Sequence, residues 1–199
     1  KLPPAWTLSA GYQRSPDDYT IALTLAADEA ELASQRPQSD GAAAFPSTSQ
    51  GAAALGVPIV RSGQRILVMT MPPGIVDGEG EVFVGLCDAH EIFSDTRAGR
   101  AWGVRVKTGE VHATDNAYYA GEPQHLLYTD GYPLGGRRGP IVGALVVIVI
   151  LDMEKRTLAF QIGDRPPIEA RVDLSQVKAL RPWALCVGRR SSDWVRLGA

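Results

Sequence analysis

The stretch VVIVILDMEKRTLAF, residues 146–160, decides the fold of this sequence. An apolar run over 144–151 meets a charged segment at 152–156, and apolar residues then return in alternation over 157–162. Such a run predicts a strand deep in a sheet, covered on one face by a second sheet and on the other by loops. The charged segment predicts a turn, so the two strands should form a hairpin with a loop of about four residues.

Further short apolar runs alternate with turn signals along the rest of the chain. The turns carry Ser-Gly, Pro-Pro-Gly, Asp-Gly-Glu-Gly and Lys-Thr-Gly. Strands at this spacing indicate a sandwich or a barrel. The segment 113–140 is expected to be a long loop, and strands are expected at 19–25, 57–60, 65–71, 81–88, 103–106, 109–112, 168–172, 182–187 and 194–197. Trp102 and Trp183 occupy strand positions and are expected in the core.

Composition excludes some classes of partner. The net charge of -2 comes from 20 basic and 22 acidic residues, so no summed field attracts nucleic acid or an anionic membrane. The longest apolar run, 141–151, is far shorter than the ~20 residues that a membrane-spanning helix needs. Cys87 and Cys186 lie in apolar surroundings, and buried thiols are typical of a reducing compartment. An intracellular, cytoplasmic protein is therefore expected.

The histidines are the first place to look for catalysis. His112 and Asp115 have a spacing seen among metal ligands, but a strand-end histidine beside a turn aspartate is more often an ordinary surface residue. Asp88, His90 and Glu91 follow a strand, as loop residues commonly do, although such a cluster is also compatible with acid–base or metal chemistry.

Two other segments are weak candidates for chemistry. Cys87 lies inside an apolar strand, so it is expected to be buried rather than nucleophilic. The segment GGRRG, 135–139, lacks the Lys-Ser/Thr of a phosphate-binding loop, and no helix is predicted to follow it. No catalytic residue, metal site or cofactor is therefore predicted.

A series of motifs in consistent order resembles the SPRY domain. The strand ending Leu-Asp, the turn and the Thr-Leu-x-Phe strand are similar to its most recognisable segment, although Gly163-Asp164 stands where the family usually has Asn-Gly. The matching segments are VRSGQRILVMTM (60–71), VFVGLCDA (82–89), AWGVRVKTGEV (101–111), ILDMEKRTLAF (150–160), GDRPPIEA (163–170) and LRPWALCVG (180–188).

This resemblance implies an all-β fold, a two-layer antiparallel β-sandwich of the jelly-roll or concanavalin-like kind. The expected organisation is an irregular lead-in over 1–18 and a SPRY-like sandwich over 19–199, with a flexible insertion at about 35–56 where Ser, Ala, Gly and Gln dominate.

The resemblance also implies a non-catalytic interaction module, an adaptor or scaffold part, whose edge loops bind a protein or peptide. Aromatic and arginine side chains on a rigid scaffold are the usual anchors of such binding. The candidate partner-binding residues are Phe93, Tyr118, Tyr119, Arg137, Arg138, Arg189 and Arg190.

Three other functions remain open from the sequence. A lectin-like sandwich would stack a sugar on Tyr118 and Tyr119 beside Asp115 and Asn116. An enzyme would use the cluster Asp88, His90 and Glu91. A permanent subunit of a larger assembly would show a wide apolar surface instead of one small pocket.

Overall fold

The computed structural model describes residues 6–8, 13–14, 20–22, 52–56, 59–76, 80–90, 99–117, 119–130, 143–187 and 194–198. These residues form fourteen strands and a short 3-10 turn, Pro73–Val76. The strands are β1 (Trp6–Leu8), β2 (Gln13–Arg14), β3 (Thr20–Ala22), β4 (Ala52–Gly56), β5 (Gln64–Met71), β6 (Glu81–Asp88), β7 (Ala101–Arg105), β8 (Glu110–Thr114), β9 (Glu122–Leu126), β10 (Leu145–Asp152), β11 (Thr157–Ile162), β12 (Ile168–Glu169), β13 (Leu180–Val187) and β14 (Trp194–Gly198).

The strands form two seven-stranded antiparallel sheets. Sheet A has the order β1-β4-β13-β6-β7-β8-β9, and sheet B has the order β12-β11-β10-β5-β14-β3-β2. Apolar side chains from both sheets join in one core cluster, so the sheets pack face to face. The predicted all-β, two-layer antiparallel sandwich is confirmed.

The hairpin predicted from the opening stretch is present. β10 pairs with β11 so that Asp152 lies opposite Thr157, and its other edge pairs with β5. The Oδ1 atom of Asp152 accepts hydrogen bonds from the backbone N–H groups of Glu154 and Lys155, at 3.0 Å and 2.9 Å. These bonds hold the turn tightly, because a short aspartate side chain can satisfy two backbone donors of the turn that follows it.

The prediction that β10 is covered on both faces is wrong for its outer face. The inward side chains of β10 are buried, whereas Val146, Ile148 and Ile150 are half-buried. Across the sheet from Ile150, Ile66 of β5 is 65% exposed. Neighbouring aliphatic side chains on the two strands cover each other in part.

Both tryptophans predicted in the core are buried, but they lie on opposite faces of sheet A. Trp102 of β7, 4% exposed, belongs to the core between the sheets. Trp183 of β13, fully buried, belongs to a smaller cluster on the outer face of sheet A. Cys186 belongs to the core between the sheets, and Cys87 belongs to the outer cluster. Both are buried, and they do not form a disulfide.

The structure adds strands where the sequence predicts irregular chain. β9 lies in the predicted loop 113–140, because the edge of β8 supplies the pairing that its EPQHL sequence does not signal. β4 lies at the end of the predicted flexible insertion and pairs with both β13 and β1. β1 and β2 lie in the predicted lead-in, 1–18. Tertiary pairing outweighs weak strand propensity at these positions.

The remainder of the predicted lead-in, 1–18, and of the predicted insertion, 35–56, lies outside the described residues. Within the ranges that are described, no helix is long and apolar enough to cross a membrane.

We expect Trp102→Ala to lower the free energy of unfolding by about 3–5 kcal/mol, because a large buried side chain leaves a cavity that the two sheets cannot close. Ile66→Ala is the matched control, since its exposed side chain should cost less than about 1 kcal/mol. Urea denaturation of both variants measures the difference. Similar losses in the two variants would contradict the placement of Trp102 in the core.

Candidate functional site

The outer face of sheet A carries a second apolar cluster. On β6, Val82, Val84 and Leu86 point into the sandwich, so Phe83 and Cys87 point outward. The outer cluster consists of Leu55, Phe83, Cys87, Ala101, Ala117, Trp183 and Leu185. Because the central strands are apolar on both faces, this face also needs cover, and the connection between β8 and β9 supplies part of it.

The ring of Trp183 packs closely against Gly103 of β7. A Cβ atom added to Gly103 would stand 2.5 Å from Cζ3 of Trp183, so only glycine leaves room for the ring. The indole N–H of Trp183 donates to the carbonyl oxygen of Ala117 at 2.5 Å. This bond ties the β8–β9 connection to the sheet and satisfies the buried donor of the ring.

Backbone hydrogen bonds hold the β8–β9 connection in place. The N–H of Ala117 donates to Gly99 at 2.8 Å, and the N–H of Tyr119 donates to Asn116 at 2.8 Å. Gly121 has a φ of 68°, and a Cβ there would stand 2.4 Å from the carbonyl oxygen of Ala113. The connection therefore has a defined path that ends over Phe83.

A pocket of about 310 Å³ opens between this connection and the sheet. Its apolar lining residues include Phe83, Val187 and Tyr119, and Tyr119 is 38% exposed. We call it the sheet A pocket, and its lining residues are Glu81, Phe83, Arg105, Tyr119, Ala120, Gly121, Glu122 and Val187.

An ion-pair network forms one wall of the pocket. The guanidinium of Arg105 donates two hydrogen bonds to the carboxylate of Glu81, one of them 2.6 Å long. A third bond, 2.9 Å long, goes to Oε2 of Glu110, which also accepts from Thr108 Oγ1 at 2.9 Å. A two-pronged arginine–carboxylate contact fixes the direction of the side chain, so Arg105 is held in one position.

The network shifts the acidity of its members. The hydrogen bond to Glu81 raises the pKa of Arg105 above its ordinary value. The hydrogen bond from Arg105 lowers the pKa of Glu110 below 4.5, with help from Thr108, although partial burial acts in the opposite direction. Both shifts favour the charged forms of Arg105 and Glu110.

His112 lies beneath this wall and is buried, so its prediction as an ordinary surface residue is wrong. Its ring meets Phe83 edge to face at 4.8 Å, and Nδ1 lies 3.2 Å from the carbonyl oxygen of Gly121. Nε2 is buried without a hydrogen bond and lies 3.6 Å from Oε2 of Glu110. The sequence did not reveal this burial, because a neighbouring connection covers the outer face at this point.

The His112 ring lies between the carbonyl oxygen of Gly121 and the carboxylate of Glu110, so it fills the space between the β8–β9 connection and the ion-pair network.

The other predicted candidates for acid–base chemistry, Asp88 and His90, lie in a turn. Asp88 is buried, and its carboxylate accepts a 2.9 Å bond from the N–H of His90 and a 3.3 Å bond from Arg100. Glu91 lies outside the described residues.

Burial raises the pKa of the Cys87 thiol well above its ordinary value, which disfavours the nucleophilic thiolate. Among the described residues, no group of three His, Cys, Asp or Glu side chains is placed to hold a metal ion.

One of the seven predicted partner-binding residues is described, and it lies in the pocket. Tyr119 lines the sheet A pocket. The other six, Phe93, Tyr118, Arg137, Arg138, Arg189 and Arg190, lie outside the described residues.

Sequence reasoning missed Glu81, Phe83, Arg105, Glu122 and Val187 as site residues. The continuous apolar run in VFVGLC was the available signal, since a strand that is apolar on both faces must be covered on both. The pairing of Glu81 with Arg105 depends on the register of β6 against β7, which local sequence does not specify.

No protein-family model matches the sequence, and no curated protein matches it. Several solved structures are similar in fold. The SPRY domain of human HERC1 superposes with a TM-score of 0.57 and 16% identity, over 96% of each chain. The PSpry domain of TRIM65 superposes with a TM-score of 0.50 and 13% identity, over 98% of this chain and 92% of that chain.

The carbohydrate recognition domain of Emp47p is also similar, with a TM-score of 0.51 and 12% identity over 99% of this chain and 88% of that one. At these identities the likeness shows the fold alone. The chain therefore has a SPRY-like sandwich, as the sequence motifs predicted.

We expect Gly103→Ala to destabilise the protein by about 1–3 kcal/mol, because the added methyl group overlaps the ring of Trp183. Gly198→Ala is the control, since the nearest atom to a Cβ there is 3.4 Å away. Thermal unfolding of the two variants measures the difference. An unchanged melting temperature for Gly103→Ala would contradict the close packing of Trp183 against Gly103.

The stability contributed by Glu110 should depend on pH. Since its pKa is lowered on folding, its contribution is complete above the unfolded value of 4.5 and is lost as pH falls through the folded value. Glu110→Gln should therefore lower the urea midpoint at pH 7 and differ less from the parent protein at pH 3. Glu169→Gln, an exposed control, should show no such trend. A constant difference for Glu110→Gln from pH 7 to pH 3 would refute the network.

Proposed function

We propose that this chain is a non-catalytic module that binds a protein or peptide at the sheet A pocket and the loops beside it. The observation that carries the proposal is the open pocket, which is lined by an exposed aromatic residue, Tyr119, and by the ion-paired Arg105 and Glu81. A preformed concave site with a few fixed polar groups is the usual form of a binding site. The SPRY-like fold supports the proposal by analogy.

The predicted loop residues are consistent with the same location. Tyr118 directly precedes Tyr119, and Arg189 and Arg190 follow Val187 by two and three residues. We propose that these residues, together with Phe93, Arg137 and Arg138, extend the binding surface beyond the pocket. They would give a partner a longer contact than the pocket alone offers.

The proposal includes a class of partner and a location. The net charge of -2 favours a protein partner over nucleic acid or an anionic membrane. The two buried cysteines, without a disulfide, support an intracellular location. Adaptor and scaffold roles within a larger assembly are consistent with the proposed interaction module.

Affinity capture tests the proposal. The wild-type domain and the double variant Tyr119→Ala, Glu122→Ala are used as bait in lysate of the source organism, with bound proteins quantified by mass spectrometry. The matched control is Ile66→Ala, Glu169→Ala, which removes an exposed apolar residue and a glutamate from sheet B. We expect a specific partner to be retained by the wild type and the control and lost by the pocket variant.

Equal capture by all three proteins would move the site away from the pocket. A second variant, Phe93→Ala, Arg189→Ala, Arg190→Ala, tests the loop residues in the same experiment. Loss of the partner in this variant alone would assign the binding to the loops, and failure to capture any specific partner would count against an interaction module.

A lectin-like function is the second candidate, because a carbohydrate recognition domain is among the similar structures. Asp115, Asn116 and Tyr119 lie in one turn, in which the N–H of Tyr119 bonds to the carbonyl oxygen of Asn116. A glycan array distinguishes the two functions, since only the lectin-like function predicts binding to a defined sugar.

A further inference from the structure

The outer face of sheet B carries an apolar stripe on two of its central strands, β5 and β10. In an antiparallel sheet with one solvated face, the outward positions are usually polar. Here five outward positions hold branched aliphatic residues, which we call the sheet B stripe: Ile66, Val68, Val146, Ile148 and Ile150. Ile66 is 65% exposed, and the other four are half-buried.

The two outer faces of the sandwich differ in their cover. On sheet A, the outward residues Phe83 and Trp183 are at most 3% exposed, because residues of the same chain cover them. On sheet B, the neighbour of Val68 on β14 is Gly198, which has no side chain to cover it. Polar and charged residues surround the stripe, namely Thr70, Thr157, Gln161, Glu169 and Arg196. An apolar centre with a polar rim is the usual composition of a protein interface.

The rim of the stripe is complementary to itself in charge. Arg196 on β14 is level with Thr70 and Val146, at one corner of the stripe. Glu169 on β12 is level with Ile150, at the opposite corner. Both side chains are exposed, and neither has an ion-pair partner within the part of the chain that the structure describes. One charge of each sign at opposite corners matches a second copy of the same surface.

A two-fold axis brings the opposite corners together. When two copies stack face to face with their strands crossed at about a right angle, an axis along the diagonal places the Arg196 corner over the Glu169 corner. On this axis Ile66 meets Ile66 of the other copy, and Ile150 meets Val68, because these residues lie in adjacent rows of β5 and β10. The stripe therefore meets only aliphatic side chains, and each charge meets its opposite.

The size of the face determines how strong such an association can be. The five strands from β12 to β14 span roughly 24 Å, and three outward residues along a strand span roughly 20 Å. Two copies would bury roughly 1,000 Å² in total, which is near the lower limit for a specific interface. Branched side chains have few rotamers to lose on burial, which favours association. A weak and reversible dimer is therefore expected.

We propose that two copies of this chain associate through the sheet B stripe, with Arg196 of each copy paired with Glu169 of the other. The interface lies on the opposite side of the sandwich from the sheet A pocket, so both pockets stay open in the dimer. The association does not depend on the proposed interaction function. It would give a partner with two binding segments a second site, and so a higher avidity.

Sedimentation velocity tests the inference with charge reversals. We expect the wild-type protein to change from monomer to dimer with a Kd of roughly 10–100 μM. Arg196→Glu and Glu169→Arg should each weaken the dimer about tenfold, because each reversal places two like-charged pairs in the symmetric interface. The double variant Arg196→Glu, Glu169→Arg should restore the dimer. Arg61→Glu is the matched control, an exposed arginine outside the stripe, and should leave the Kd unchanged.

A cysteine variant tests the predicted contact between the two copies. Ile66→Cys should form a disulfide-linked dimer under mild oxidation, because residue 66 faces itself across the axis. Leu126→Cys is the control, since Leu126 is 48% exposed but lies on β9 of sheet A. The native Cys87 and Cys186 are buried, so they should not cross-link. Electrophoresis without reducing agent measures the fraction of dimer in each variant.

Several results would overturn the inference. Wild-type protein that is monomeric over the whole concentration range would do so, as would a dimer that both charge reversals leave unchanged. Equal cross-linking of the two cysteine variants would also contradict the stripe as the interface. If monomeric protein captured a different protein from lysate and Ile66→Asp lost it, the face would bind that partner instead of a second copy. None of these results bears on binding at the sheet A pocket, which lies on the other sheet.

Discussion

Strands β6 and β13 are apolar on both faces, and this constraint organises the rest of the structure. Their inward side chains join the core between the two sheets, as a sandwich requires. Their outward side chains, among them Phe83 and Trp183, need a second cover. The β8–β9 connection supplies it, because the ring of Trp183 lies on Gly103 and donates to Ala117. The path of this connection, and therefore the pocket beside it, follows from the need to bury the outer face.

The pocket is lined by ion-paired residues and by exposed residues. Arg105, Glu81 and Glu110 satisfy one another through charge-assisted hydrogen bonds, so their positions are set before any ligand arrives. Tyr119 and Glu122 are more exposed. Preorganised charges lower the entropic cost of binding, which supports the proposal of recognition at this surface.

The local patterns of the sequence predicted most of the strands. The boundaries of β6 and β11 agree with the predicted runs, and the β10–β11 hairpin follows from one apolar run and one charged turn. β4 and β9 were missed because their alanine, proline and glutamine residues have little strand propensity. These strands exist because neighbouring strands offer paired edges, and that information is non-local.

The candidate site was less predictable than the fold. Aromatic and arginine residues in predicted loops led to Tyr119, which lies in the pocket, whereas His112 was placed on the surface and is buried. Sequence by itself determined the all-β class, the central hairpin and the burial of both tryptophans, since alternation and turn residues are local signals. Only the tertiary structure decided the pairing of Arg105 with Glu81 and the position of Tyr119 over the sheet. Those contacts depend on the register of distant strands, which is set when both faces of sheet A are buried together.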